Sequence, residues 1–301
     1  MMRKIRVGSR ESKLALVQTE LIVNKIREKY PAQEFEIIGM KTKGDMILDK
    51  MLDKIGGKGL FVKELELALL DGSIDFAVHS MKDMPAEMPD ELTIAAVSTR
   101  EDPRDVLLAP GGKTLEELDE GAVVGTSSVR REVQILRKRP DLKIKTLRGN
   151  VLTRIKKLLD NEFDAIMLAS AGLKRLGYEE MPIRYFEVDD VIPAVGQGIL
   201  GVQARKDSEC IPLLQSVHCS EAELCLNAER AYMIKLNGGC STPIAAHAVI
   251  EGEKMRVIGM LASEDKTSFY RAIIEESMND AAGLGERLAD RIIEQMEKGE
   301  G

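Results

Sequence analysis

The 301-residue chain has no tryptophan, and aromatic residues make up only 4% of it. Surfaces that stack successive bases of a nucleic-acid strand therefore have little to be built from. A formal net charge of −7 argues against the other common route to nucleic acid, a basic face that tracks phosphates. Nor is there an uninterrupted apolar run of the roughly 18 residues a membrane helix needs. The opening Met1-Met2-Arg3-Lys4-Ile5-Arg6-Val7-Gly8 leads into a strand pattern rather than an apolar leader. The chain is thus expected in the cytoplasm, with neither membrane nor nucleic acid as partner.

Cysteine is scarce as well. Its four copies all lie in the last third and lack the spacing of a disulfide framework, which suits a reducing compartment. Cys219, Cys225, Cys240 and His247 match no common zinc spacing, so no structural metal is expected. Cys210, Cys219 and Cys225 lie in or beside a helical pattern and read as small buried hydrophobes. Cys240 differs, because Asn237-Gly238-Gly239-Cys240-Ser241-Thr242-Pro243 is a poor core segment. Two glycines beside a thiol leave the backbone free and the sulfur reachable by something large.

Charged residues, by contrast, make up 31% of the chain, and arginines recur at turns beside glycine and small hydroxyl residues. Arg10 follows Gly8-Ser9, Arg130 and Arg131 follow Gly125-Thr126-Ser127-Ser128, and Arg148 precedes Gly149-Asn150, with Arg154 one helical turn further on. One such arginine is an ordinary surface residue. Several of them in an acidic chain point to an internal anion site, since a guanidinium grips a carboxylate or phosphate with two parallel hydrogen bonds.

The turns recur at equivalent places in a repeated plan. Ile5 to Val7 reads as a strand, followed by a Gly8-Ser9 turn and a helix carrying Leu14, Val17, Leu21, Ile22 and Ile26. Ala122 to Val124, the Gly125 turn and a helix carrying Val133, Ile135 and Leu136 repeat it. Both helices would aim free N–H groups out of the strand's carboxyl end. A second echo runs from Gly59 through a helix to Asp75 and a buried strand, and from Gly149 through a helix to Asp164 and another.

The junctions give an α/β chain of three domains. Arg100-Glu101-Asp102-Pro103 reads as a crossing and Val191 to Gly198 as the return, so residues 1–98 with 195–217 form a first lobe and residues 103–191 a second, around a cleft. Residues 220–301 form a smaller α+β domain: a helix at 221–236, strands near 245–250, 255–261 and 269–274, and a closing helix at 281–296. Gly196-Gln197-Gly198-Ile199-Leu200-Gly201 fits G-x-G-x-x-G, but it precedes an apolar strand instead of opening a helix, so it is no dinucleotide site. His79-Ser80-Met81-Lys82-Asp83-Met84-Pro85 follows the buried strand at 75–78, at the edge where α/β clefts hold ligands. Asp83 beside Lys82 there could exchange a proton with a bound heterocycle, or simply shape a turn before Pro85.

Seven segments in this order resemble the porphobilinogen deaminase family: Val7 to Arg10 with Leu14 to Leu16, Gly57 to Phe61, Val78 to Asp83, Val124 to Arg131, Arg148 to Asn150, Ala194 to Gly198, and Gly238 to Cys240. The resemblance covers essentially the whole chain and implies a fold whose first two lobes are periplasmic-binding-protein-like. It implies a transferase of haem and tetrapyrrole biosynthesis that joins four porphobilinogen molecules, with release of ammonia, into hydroxymethylbilane. It further implies a dipyrromethane cofactor tied by a thioether to Cys240, and a monomer. Asp83 would be the catalytic carboxylate that meets pyrrole N–H groups and moves protons. Ser80, Lys82, Asp83, Thr126, Ser127, Ser128, Arg130, Arg131, Thr146, Arg148, Ala169 and Arg175 would hold the cofactor. Arg10, Gln18, Lys58, Phe61, Arg148, Arg154 and Gln197 would hold substrate, with residues 43–59 as a lid. A non-catalytic two-lobed protein binding a polycarboxylate or other small anion would also use the arginine turns, though it has no use for Cys240.

Overall fold

A computed structural model of the chain describes residues 3–42, 62–238 and 242–299. Within it the chain forms two compact units, one of Met1–Arg100 with Ile199–Glu223 and one of Glu101–Gly198 with Leu224–Gly301.

The first unit is built on strands β1 (Ile5–Arg10), β2 (Phe35–Met40), β3 (Phe76–Ser80), β4 (Leu92–Val97) and β10 (Leu200–Arg205), in the order β2-β1-β3-β10-β4. β1 pairs parallel with β2 and β3, whereas β10 runs antiparallel between β3 and β4. Helix α1 (Lys13–Lys29) follows β1, capped by Ser12, whose hydroxyl accepts from the Ala15 N–H. Its buried Ala15, Thr19, Ile22, Val23 and Ile26 recur at helical spacing, so one stripe packs on the sheet. Helix α2 (Lys63–Leu70) contributes Leu65 and Leu69 to a second cluster with Ile74 and Ala77.

The second unit repeats this sheet. Strands β5 (Asp105–Leu108), β6 (Val123–Gly125), β7 (Lys143–Lys145), β8 (Ala165–Ala169) and β9 (Ile183–Tyr185) are ordered β7-β6-β8-β5-β9, with β6 parallel to β7 and β8 and β5 antiparallel between β8 and β9. The correspondence extends to single atoms. Asp75 accepts the Arg6 N–H at 2.7 Å and gives its own N–H to the Arg6 carbonyl at 2.8 Å. Asp164 does the same with Val123, at 2.7 Å and 2.9 Å. Two residues beyond each clasp stands a glycine with no room for a side chain. A Cβ on Gly8 would lie 2.4 Å from Ile74, and one on Gly125 would lie 2.8 Å from Phe163. Ile74 and Phe163 immediately precede the paired aspartates, so the echo read in the sequence is a structural equivalence.

Helices α3 (Val129–Lys138), α4 (Val151–Leu159) and α5 (Ser170–Arg175) complete the second lobe, with Ser128 capping α3 and Asn150 capping α4. After the short α6 (Ile211–Leu214) and α7 (Ser220–Lys235) comes a three-stranded antiparallel sheet, β11 (Ile244–Glu251), β12 (Lys254–Ala262) and β13 (Phe269–Ser277), closed by α8 (Ala281–Lys298). This sheet is buried on both faces. Ala246, Ala248, Val257 and Ile274 pack against Tyr232 of α7 and Leu284, Leu288 and Ile292 of α8. Ala245, Ile258, Met260 and Ala262 pack against Val133 and Ile192 of the second lobe. That second face explains why residues from Leu224 onward belong to the same compact unit as residues 101–198. The chain is α/β, with two sheet-centred lobes and a smaller α+β domain, as expected. Among the described residues no helix is long and apolar enough to cross a membrane.

Candidate active site

In the first unit, Arg10 ends β1 and Ser80 ends the adjacent β3, so both stand at the carboxyl edge of the parallel strands. Gln18, buried on α1, is hydrogen-bonded to the Ser80 hydroxyl at 3.1 Å. A 3-10 turn, Met81–Asp83, follows at once. The Met81 N–H donates to the Ile199 carbonyl at 3.0 Å and the Met81 side chain is buried, so the turn is nailed down while Lys82 and Asp83 stay half-buried. His79, one residue earlier, is sealed in the sheet. Burial pushes its pKa down to about 4; contact with Gln203 opposes this and the charge of Arg10 adds to it. His79 is therefore a neutral imidazole at physiological pH.

The second unit gathers its residues at the equivalent sheet edge. Gly125 ends β6, and the Thr126 hydroxyl accepts from the Ser128 N–H at 3.1 Å, shaping the entry to α3. Ser127 donates to the Leu147 carbonyl at 2.5 Å, which ties this turn to the segment carrying exposed Thr146 and half-buried Arg148. Arg154 of α4 folds back on the Gly149 carbonyl at 2.8 Å. Ala169 ends β8, directly opposite Asp105 in the β5 register.

Asp105 is the hub of this cluster. Its carboxylate, fully buried, accepts from Arg130 Nη1 and Arg131 Nη2, each at 2.7 Å, and from Gln197 Nε2 at 2.9 Å. Burial alone would raise its pKa, but the two guanidiniums outweigh that and hold it well below the ordinary carboxylate range. Arg130 also donates to the Ile192 carbonyl and Arg131 to the Met167 carbonyl. Arg131 Nε is buried without a partner among the described residues. Gln197 donates further to the Pro103 carbonyl at 2.6 Å, and Arg175 Nη2 to the Gly198 carbonyl at 2.6 Å. Burial lowers the Arg175 pKa to about 10, with Glu101 opposing, so the side chain stays cationic.

The expected residues thus fall into two clusters, each within its own unit: Arg10, Gln18, Ser80, Lys82 and Asp83 in one, and Thr126, Ser127, Ser128, Arg130, Arg131, Thr146, Arg148, Arg154, Ala169, Arg175 and Gln197 in the other. Lys58, Phe61 and Cys240 lie outside the described residues, as do all of residues 43–59. Cys210 and Cys225 are buried and Cys219 half-buried. Asp105 was missed by sequence reasoning. The available signal was a lone acid opening the apolar run Asp105-Val106-Leu107-Leu108, in a chain with two adjacent arginines to satisfy.

Comparison with known proteins agrees with the resemblance. The family model described as porphobilinogen deaminase, dipyrromethane cofactor binding domain, matches residues 5–212, and that described as porphobilinogen deaminase, C-terminal domain, matches residues 223–294. A porphobilinogen deaminase from Alkaliphilus metalliredigens is 50% identical over 297 residues, covering 97% of this chain and 93% of the relative. One from Acetivibrio thermocellus is 50% identical over 286 residues, covering 95% and 97%. Among solved structures, a probable amino-acid ABC transporter extracellular-binding protein from Bacillus subtilis is 13% identical over 74% of this chain and 91% of that one, with a TM-score of 0.43. A likeness that low carries no functional weight.

Proposed function

The chain belongs to the porphobilinogen deaminase family, and from that premise we propose that it joins four porphobilinogen molecules head to tail into hydroxymethylbilane, releasing ammonia at each coupling. It does so in the cytoplasm, on a dipyrromethane held by a thioether to Cys240. Porphobilinogen carries an acetate and a propionate, so every coupling adds two carboxylates to the bound chain.

The observation that carries this reading is the cationic cluster at the carboxyl edge of the second sheet. Two guanidiniums share one buried carboxylate, Asp105, and Arg131 keeps one buried N–H over. The local balance is positive and a donor is already desolvated, which suits a bound carboxylate better than a neutral ligand. Thr126, Ser127, Ser128, Arg130, Arg131, Thr146, Arg148, Ala169 and Arg175, with Ser80, Lys82 and Asp83 of the first unit, are the residues that would hold the cofactor. When bound, the dipyrromethane supplies a primer, a terminal pyrrole to which substrate is joined.

The protein's own part is to bind, orient and move protons. Asp83, on its pinned turn, accepts pyrrole N–H groups at its carboxylate oxygens and takes up or returns a proton there. A general acid or base so placed contributes about 10²–10⁴-fold in rate. Lys82 beside it balances incoming carboxylate charge. Arg10, Gln18, Lys58, Phe61, Arg148, Arg154 and Gln197 hold the incoming or elongated pyrroles.

Intact mass spectrometry tests the reading. Purified protein is expected to exceed its chain mass by two linked pyrroles, and Cys240→Ser to lack both the excess and the pyrrole colour reaction. An adduct persisting in Cys240→Ser would overturn the attachment.

A further inference from the structure

We infer that Glu229, a fully buried glutamate of α7, is a positioning residue for the Asp105 cluster, acting through the turn that carries Gln197; the inference rests on the reading above. A carboxylate that reaches the interior is normally paired with an ion or a ligand. Two bonds of Glu229 go to backbone: Oε2 accepts the Gly196 N–H at 2.7 Å and Oε1 accepts the Ala248 N–H at 2.8 Å, with His247 Nδ1 3.7 Å from Oε1.

Each contact has a direction. Ala248 lies in β11, so the second bond locks α7 to the strand that follows it across residues 236–243, the segment containing Cys240. Gly196 lies in the turn closed by the Gln197 N–H donating to the Ala194 carbonyl at 2.9 Å, and its φ is +70°, a conformation that favours glycine. The next residue, Gln197, gives its amide to both Pro103 and Asp105. Glu229 thus holds the backbone at Gly196, and the side chain of the next residue, Gln197, donates to Asp105, which in turn accepts from Arg130 and Arg131. The bond from the Gly196 N–H to Glu229 fixes the backbone one residue before the Gln197 side chain.

Glu229→Gln offers the clean perturbation. The amide keeps the size but replaces one acceptor with a donor, which faces a backbone N–H. Expected first is faster hydrogen exchange at the Gly196 and Gln197 amides, read by peptide-level deuterium uptake on the whole protein. Loss of a charge-assisted bond corresponds to about tenfold or more in the opening equilibrium. Expected next, in cofactor-loaded enzyme, is a KM for porphobilinogen raised by about tenfold with kcat changed by less than about threefold. The decisive measurement is the cycle with Gln197→Leu. If Glu229 acts through Gln197, the double variant has the same KM as Gln197→Leu alone; if Glu229 only supports the fold, the two penalties multiply.

Multiplying penalties, or unchanged exchange at Gly196, would overturn the proposal. Should Glu229→Gln fail to fold, Gly196→Ala strains the same turn at its φ of +70°. It must show the same KM shift and the same lack of additivity with Gln197→Leu, and a normal KM there overturns the proposal equally. A wild-type protein that neither carries pyrroles nor consumes porphobilinogen would sink the proposed function, while the exchange result would still report on the Glu229 coupling by itself.

Discussion

Arg131 Nη2 stands 2.7 Å from Asp105 Oδ1, with the arginine side chain 7% exposed and the aspartate 0%. Arg130 meets the other carboxylate oxygen at the same distance, so one buried anion restrains two buried cations. The pair is preset: a substrate-derived carboxylate would find guanidiniums already desolvated and aimed, and the cost of burying them belongs to folding rather than binding.

Asp105→Asn removes that restraint and leaves two buried cations facing a neutral amide. Breaking a buried ion pair from one side typically costs about 3–5 kcal/mol. The variant is expected to melt well below the parent in thermal unfolding, and to carry less cofactor when isolated. A melting temperature equal to the parent's would show that the arginines find another partner.

Asp83→Asn is expected to fold like the parent, because the turn that holds Asp83 depends on Met81 and its bond to Ile199 rather than on the carboxylate. Turnover should fall by about 10²–10⁴-fold. Steady-state assay of the folded variant is the check, and substantial remaining activity would return Asp83 to a turn-forming role.

Growth on a fixed anchor makes a ladder. Limiting porphobilinogen should give covalent species one pyrrole apart by intact mass, each more acidic on ion exchange. Arg130→Leu and Arg131→Leu are expected to stop before the cofactor is assembled, and Arg10→Leu and Arg154→Leu during elongation. The same blocked species for all four, or a single jump to product, would count against separate carboxylate sites.

His79 supplies a pH test. Its folded pKa of about 4 lies below the unfolded value of 6.5, so between those values the unfolded chain binds the extra proton. The stability it contributes is present above pH 6.5 and is lost as pH falls towards 4. In the same fold position of the second lobe stands Leu168, as the pairing of Gly201 with His79 and of Val106 with Leu168 shows. His79→Leu should therefore flatten the stability profile in this window, by up to about 3 kcal/mol, leaving the later acid loss at Asp105 in place. Urea midpoints measured between pH 4 and 7 decide it, and an unchanged slope would mean another group titrates there.

Much of this was legible in the chain because its causes are local. Strands at Ile5, Val123, Phe76 and Leu200 and helices at Ser220 and Ala281 follow from periodicity, and Ser12, Ser128 and Asn150 cap where small polar residues should. The repeated aspartates at Asp75 and Asp164 showed in spacing alone. Asp105 did not, since its partners lie 25, 26 and 92 residues away and nothing near it announces an ion pair. The arginines' chemistry was plain, but not that a residue of this chain claims part of it. Glu229 was hidden for a similar reason: on a helix, an acid looks solvated until the backbone groups that surround it are known.

The interleaving of the two sheets also orders events at the ribosome. β10, an inner strand of the first sheet, is encoded by residues 200–205, whereas every strand of the second sheet lies between residues 105 and 185. A growing chain therefore completes its second lobe while the first still has a gap between β3 and β4. Folding runs against the order of translation, and the N-terminal hundred residues wait for a strand not yet made. Stalled nascent chains in which β9 has cleared the ribosomal exit tunnel while β10 is still inside it should then protect the second sheet from protease and leave the first one open. Protection of the first sheet at that length would show that it closes provisionally around a substitute strand.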